Sequence, residues 1–301
     1  MKDKFKGIFP AFYACYDDMG EVSPERVRAF TEYLIQKGIQ GLYVCGSSGE
    51  CFYQTKEERM LILENVMAVA KGRITVIAHV AAISTRDSVD LAKHAEKCGA
   101  DALAAVPTIY FALPEHAIEQ YWKAMIDATE LPFFIYNIPG ASRYTLTLNL
   151  FEKMMACDKV IGVKNSSMPV LDIQKFKRAG GEKCIVFNGP DEQFIAGRMI
   201  GADGGIGGTY GIMPELFLAA NDAVIQGQNE KAKEIQNAIN DVIFLMQSCK
   251  GNLYSVEKEI LRIQGIDIGQ ARLPLPPFEQ EDIPKIRKCA ELIETAKTKF
   301  C

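Results

Sequence analysis

The sequence predicts an α/β fold, a (β/α)₈ barrel with a C-terminal helical extension, and three observations carry that prediction. Short apolar or β-branched runs recur eight times, with starts roughly 20–35 residues apart. The segments between them show helical periodicity with recognisable caps, the pattern of βα units building a parallel sheet. The runs are continuous rather than alternating, as expected when helices cover one face of each strand and barrel packing covers the other.

The runs are Ile8–Tyr16, Gly41–Cys45, Ile74–Val80, Ala102–Val106, Phe133–Tyr136, Val160–Val163, Cys184–Phe187 and Gly204–Gly207. Ser23-Pro24-Glu25 supplies an N-cap with Pro at the first helical position, and Val27, Phe30 and Leu34 form a stripe ending at Gly38. Thr55-Lys56-Glu57-Glu58 reads as a capping box. Ser84 or Thr85 opens the next helix and Lys97-Cys98-Gly99 closes it. Later helical patterns lie near 214–226, 229–248, 253–264 and 280–299, with Leu273-Pro274-Leu275-Pro276-Pro277 as a stiff connector. The expected division is a catalytic barrel over 1–226 and a helical extension packed on it over 227–301.

Composition excludes several classes. Hydrophobic residues make up 48% and charged residues 24%, so a large core can be buried and disorder is excluded. The net charge of −4 and the lack of a Lys/Arg run leave no electrostatic footprint for nucleic acid or an anionic membrane, so the expected partners are small molecules. No stretch of about 18 apolar residues appears, and the expected location is the cytoplasm. Nine dispersed cysteines without a C-x-x-C pair signal neither a disulfide framework nor zinc, although Cys45 and Cys51 flank a motif of interest. His79, His94 and His116 show no ligand spacing, so no metal is expected.

A barrel of this kind builds its active site at the C-terminal ends of the strands. Four of those ends are unusual: Gly46-Ser47-Ser48-Gly49-Glu50, Tyr136-Asn137-Ile138-Pro139, Lys164-Asn165-Ser166-Ser167 and Asn188-Gly189-Pro190-Asp191-Glu192. Lys164 ends an apolar strand, where apolar walls disfavour an ammonium and so favour an amine nucleophile. The plainer reading is a solvated lysine punctuating a strand. Tyr136 ends the preceding strand within reach of Lys164 and is a candidate proton shuttle, or else an amphipathic rim tyrosine. The Ser47-Ser48 turn offers hydroxyls and glycine-freed N–H groups to a carboxylate, or is only a strand-to-helix turn. Asp191 and Glu192 are acceptors for sugar hydroxyls, or acidic residues favoured by a helix N-terminus.

Taken in order, G-S-S-G-E, Y-N-I-P, G-V-K-N-S-S, G-P-D-E-Q and G-A-D-G-G-I-G-G-T-Y closely resemble the N-acetylneuraminate lyase branch of the dihydrodipicolinate synthase superfamily, from Gly7 to about Tyr210. The resemblance implies a class I aldolase without metal or other cofactor, in which Lys164 forms an imine with pyruvate and Tyr136 gives and takes protons. It implies that Ser47 and Ser48 hold the pyruvate carboxylate, the first also bonding the tyrosine. Ser166, Gly189, Asp191 and Glu192 match positions that hold the sugar acid's hydroxyl-bearing tail, and Tyr110 matches a tyrosine reaching a neighbouring subunit's site. A homotetramer is implied as well.

Two positions sort the branches. Ala141 stands where dihydrodipicolinate synthases carry an Arg for their second substrate, with Arg143 two residues further on. Gly208 stands at the tail-binding position where the lyase branch usually has Ser. The implied reaction is reversible cleavage of N-acetylneuraminate to N-acetylmannosamine and pyruvate. The alternatives are another pyruvate aldolase or dehydratase of 2-keto-3-deoxy sugar acids, encouraged by Gly208, and a catalytically silent ligand-binding barrel. The paired Lys164 and Tyr136 argue against the silent barrel.

Overall fold

The computed structural model describes residues 2–301. The barrel half runs β1 Gly7–Pro10, α1 Pro24–Gln36, β2 Gly41–Val44, α2 Lys56–Ala70, β3 Thr75–His79, α3 Thr85–Cys98, β4 Ala102–Ala105 and α4 Glu115–Asp127. It continues through β5 Phe133–Asn137, a one-turn α5 Pro139–Ser142, α6 Leu148–Met155, β6 Val160–Asn165, α7 Leu171–Gly180, β7 Ile185–Asn188, α8 Phe194–Met199, β8 Gly204–Gly207 and α9 Pro214–Ile225. The extension comprises α10 Asn229–Gln247, α11 Leu253–Ile263 and α12 Ile283–Phe300.

All eight strands are parallel in the order β1-β8-β7-β6-β5-β4-β3-β2, and a bridge from Ala11 to Tyr43 brings β1 against β2 to close the barrel. Every expected run holds a strand. The first is shorter than expected: the strand ends at Pro10, and beyond the Ala11 bridge the chain to Tyr16 is buried loop. The barrel interior leaves no room at some positions. A Cβ on Gly162 of β6 would lie 1.9 Å from the Ile185 carbonyl oxygen of β7.

The caps behave as the sequence indicates. Ser23 accepts from the Arg26 N–H, Ser84 from that of Asp87, and Thr55 with Glu58 forms the reciprocal capping box. These fix where α1, α2 and α3 start, and hence the lengths of the loops over the barrel mouth.

The extension is docked rather than appended. The α10 helix packs on both α9 and α12. The proline connector is held by the Asn252 N–H and the Ser255 hydroxyl, both donating to the Pro276 carbonyl at 3.0 Å. The deepest tie is ionic. Lys258 of α11 donates to Glu50, just after β2, at 2.6 Å, with both side chains 0% exposed. Glu50 also accepts from the Arg272 N–H at 2.8 Å, and Lys258 donates to the Gln270 carbonyl at 3.1 Å. Burial pushes Lys258 below the usual lysine range while Glu50 opposes the shift.

Breaking a buried pair strands the surviving charge, at a cost of about 3–5 kcal/mol. Lys258→Met should therefore lower the urea unfolding midpoint markedly, and adding Glu50→Gln should recover part of the loss. A double variant no more stable than the single would mean that Glu50 does not depend on Lys258.

Candidate active site

The reactive geometry comes from strand register. Tyr136 of β5 and Lys164 of β6 are direct partners, 2% and 4% exposed. Lys164 is the penultimate residue of β6, not a residue beyond its end: the strand runs one residue further, to Asn165. Its Nζ lies 4.1 Å from the centre of the Tyr136 ring and 4.4 Å from that of Tyr43 on β2. This is not the solvated lysine of the plainer reading.

Behind the two rings stands His79 of β3, with ring centres 6.0 Å from each. Burial, aided by Arg59, holds the imidazole far below its ordinary pKa, so the ring is neutral. Its Nδ1 then donates to the Cys45 carbonyl at 2.9 Å, and its Nε2 accepts the Val106 N–H at 3.3 Å. Both nitrogens are committed, and His79 serves as a fixed wall for the tyrosines. The strand ends are locked similarly. Asn137 donates to Asn165, which donates to Ser167, whose hydroxyl donates to Asp172.

Around this core a cavity of about 240 Å³ is lined by Ser47, Ser48, Ser166, Gly189, Asp191, Glu192 and Gly208, together with Tyr136 and Lys164. The structure thus gathers residues from four loops and two strands that are as much as 161 positions apart, from 47 to 208. In the Gly46–Gly49 turn the N–H groups of Gly49 and Glu50 donate to Gly46 and Ser47 carbonyls at 3.0 Å. The turn uses those two N–H groups internally, while the Ser47 and Ser48 N–H groups make no such bond, so the candidate anion cradle narrows to the serines, hydroxyls and amides together. Cys45 and Glu50, either side of the turn, both adopt left-handed backbone. Burial pushes the Cys45 thiol up to about 12, which leaves it unreactive.

Opposite the serines, Asp191 Oδ2 accepts both the Thr209 N–H at 2.8 Å and the Thr209 hydroxyl at 2.7 Å, while Oδ1 has no partner. Gly207 is required beside it, because a Cβ there would lie 2.0 Å from Oδ1. Glu192 accepts from Gln247 of α10 at 3.0 Å, and Asn240 and Gln236 of the same helix donate to the Glu192 and Asp191 carbonyls. The extension therefore holds the acidic loop in place.

The structure leaves other candidates outside. Tyr110 stands on the β4–α4 loop, 84% exposed, with Phe111 edge-on to it at 4.8 Å. Ala141 and Arg143 are exposed and do not line the cavity. Conversely, Thr209, Tyr254 and Glu257 line the cavity without having been singled out. Thr209 was visible in G-G-T-Y, but Tyr254 and Glu257 lie on a helix far along the chain, where no motif marks them. Metal-ligating side chains do converge at one place among the described residues: Glu64, His94 and Cys98, on α2 and α3. The H-x-x-x-C spacing there escaped a reading that compared histidines only with one another. Among the described residues no disulfide forms, and no helix is long and apolar enough to cross a membrane.

The sequence pattern of the dihydrodipicolinate synthetase family matches residues 4–293, and the chain belongs to that family. It is 54% identical to the N-acetylneuraminate lyase of Mediterraneibacter gnavus over 300 residues, 99% of this chain and 95% of that protein. A solved structure of the wild-type Ruminococcus gnavus sialic acid aldolase aligns with a TM-score of 0.98 at 54% identity, covering 99% of this chain and 100% of that one. A catalytic lysine mutant of that aldolase aligns equally well, TM-score 0.98 at 53% identity, covering 99% of each chain.

Burial raises the Asp191 carboxyl from 3.8 to about 7, against the opposing Thr209 hydrogen bonds. The folded protein thus keeps a proton that the unfolded chain releases. The stability this group contributes is complete below about pH 4 and is lost as pH rises towards 7, by up to about 4 kcal/mol. Asp191→Asn should flatten the fall in urea midpoint between pH 4 and 8 and leave the variant the more stable at pH 8. Identical profiles would show that Asp191 ionises as freely in the fold as out of it.

Proposed function

We propose that the enzyme is an N-acetylneuraminate lyase, reversibly cleaving N-acetylneuraminate to N-acetylmannosamine and pyruvate through an imine on Lys164. The observation that carries the reading is the buried Lys164 amine set against the Tyr136 ring, between a pair of serines and a pair of acids in one cavity. The high identity to the M. gnavus lyase over nearly the whole chain supports the same substrate.

The chemistry follows from the residues present. The Lys164 amine attacks the C2 ketone of the open-chain sugar acid, and loss of water leaves an imine. Ser47 and Ser48 hold the neighbouring carboxylate. The Tyr136 oxygen takes the C4 hydroxyl proton, the C3–C4 bond breaks, its electron pair flows into the imine to give an enamine, and the aldehyde departs as N-acetylmannosamine. Protonation at C3 and hydrolysis return pyruvate and the free amine. Ser166, Gly189, Asp191, Glu192 and the slot at Gly208 receive the polyol chain, so tail recognition is separate from imine formation. The substrate itself forms the covalent link, and the route calls on no cofactor. The exposed Tyr110 and Phe111 support a contact between subunits, in keeping with a homotetramer. Cleavage of another 2-keto-3-deoxy sugar acid is the second reading, favoured by Gly208.

With pyruvate, borohydride should trap an irreversible adduct that peptide mapping places on Lys164, and Lys164→Ala should abolish it. Tyr136→Phe should lower kcat by about a hundredfold or more, the usual range for a lost proton carrier. Asp191→Asn should cost about ten- to a hundredfold in kcat/KM for N-acetylneuraminate while leaving trapping nearly intact. An adduct on another residue would overturn the mechanism. A panel of sugar acids in which another is cleaved faster would overturn the substrate.

A further inference from the structure

Three consecutive charged residues on α11 face different fates. Lys258 is paired with Glu50 and Glu259 with Arg262 at 2.6 and 2.7 Å. Glu257 is 0% exposed and lines the cavity, and its carboxyl oxygens make no hydrogen bond of good geometry within the protein, although the Tyr13 hydroxyl lies near enough to act on them. The polar group beside it is the Tyr13 hydroxyl, which directs its own proton to the Gly208 carbonyl at 2.5 Å. Buried polar groups are nearly always satisfied, and one left open towards a cavity is satisfied by what the cavity binds.

The position of Gly208 says where that ligand group lies. A Cβ on Gly208 would point between Ser48 and Glu257, 3.1 Å from the Ser48 Oγ and 3.9 Å from Glu257 Oε1. The missing side chain leaves a slot between β8 and α11 with the Glu257 carboxyl as one wall. Asp191, with its own unpartnered Oδ1, is close enough to act on Glu257 electrostatically.

We propose that Glu257 is a specificity-determining residue whose carboxyl hydrogen-bonds a hydroxyl of the substrate's polyol tail in the slot opened by Gly208. Burial and the nearby Asp191 hold the acid well above its usual range, against the Tyr13 hydroxyl and Lys258, and the protonated form offers one O–H donor and one carbonyl acceptor. A sugar hydroxyl offers the complementary pair. A neutral acid also avoids repelling the substrate's carboxylate at the serines. The inference rests on the reading that a polyol-bearing sugar acid fills the cavity.

The test compares wild type, Glu257→Leu and Glu257→Gln. Losing the hydroxyl's partner should raise KM for N-acetylneuraminate about tenfold in Glu257→Leu, with kcat and the pyruvate concentration for half-maximal borohydride trapping nearly unchanged. Glu257→Gln, which keeps a donor and an acceptor, should stay within about threefold of wild type. Removing an unpartnered acid should leave Glu257→Leu at least as stable as wild type in urea. A destabilised or unfolded Glu257→Leu would show that the carboxyl has partners within the protein, and the proposal falls. Unchanged KM, or loss of pyruvate trapping in step with cleavage, would overturn it too. If wild type instead prefers another polyol sugar acid, the substrate assignment fails alone, and the same KM comparison on that acid decides the role of Glu257. If wild type cleaves none, both fail.

Discussion

The Glu50–Lys258 pair is the constraint on which the shape of the site depends. Two opposite charges without solvent exposure are stable together only when geometry and further hydrogen bonds repay their desolvation. Here the Arg272 N–H and the Gln270 carbonyl supply those bonds. The pair joins two segments that do not otherwise share a strand or helix. Glu50, in left-handed backbone, ends the turn that carries Ser47 and Ser48. Lys258 fixes the rotation of α11, and with it the directions of Tyr254 and Glu257. If the pair is broken, the serine loop and the extension lose their common reference.

The electrostatics of the cavity follow from burial on all sides. It holds one amine against two aromatic rings, faced by two acids whose protonated forms burial favours. In water both acids would be ionised at neutral pH and would repel a carboxylate ligand. In the fold their protonated forms are suited to the proposed role of receiving hydroxyls. The neutral His79 adds no further charge to the site, and Arg59 spends its guanidinium on the Ala81 and His79 carbonyls at 2.7 Å.

The barrel was legible because its signals are local. Continuous apolar runs, the caps at Ser23, Thr55 and Ser84, and the unusual residues after four strands all lie within short windows of sequence. Lys164 and Tyr136 were legible as a pair only through the rule that adjacent strands align their ends. The tertiary half of the site was not. His79 looked like an isolated histidine because its partners are backbone groups of Cys45 and Val106. Glu257 reads as a surface charge in Val256-Glu257-Lys258-Glu259, and nothing nearby in sequence shows that α11 turns that face inward. Which amides of the Ser47-Ser48 turn stay open was hidden for a similar reason: whether a glycine-rich turn presents an N–H group or uses it, as it does those of Gly49 and Glu50, is decided by its dihedral angles.

These placements divide the work of the site between parts of the chain under different constraints. The residues proposed for the imine chemistry sit on β5 and β6, where the Tyr136–Lys164 register is fixed by a sheet in which even a Cβ at Gly162 has no room. The groups proposed to receive the tail sit after β7 and β8 and on the extension, held by side chains of α10 and by the Lys258 pair. A substitution at 208 or 257 alters the slot without entering the sheet, so substrate choice can drift while the reacting pair stays where it is. A hydroxyl at position 208 and a carboxyl at position 257 are two ways of presenting a polar group to one small volume. A Cβ at 208 would lie 3.9 Å from the Glu257 Oε1, so both would face the same volume beside the Ser48 Oγ. In this chain that polar group comes from α11.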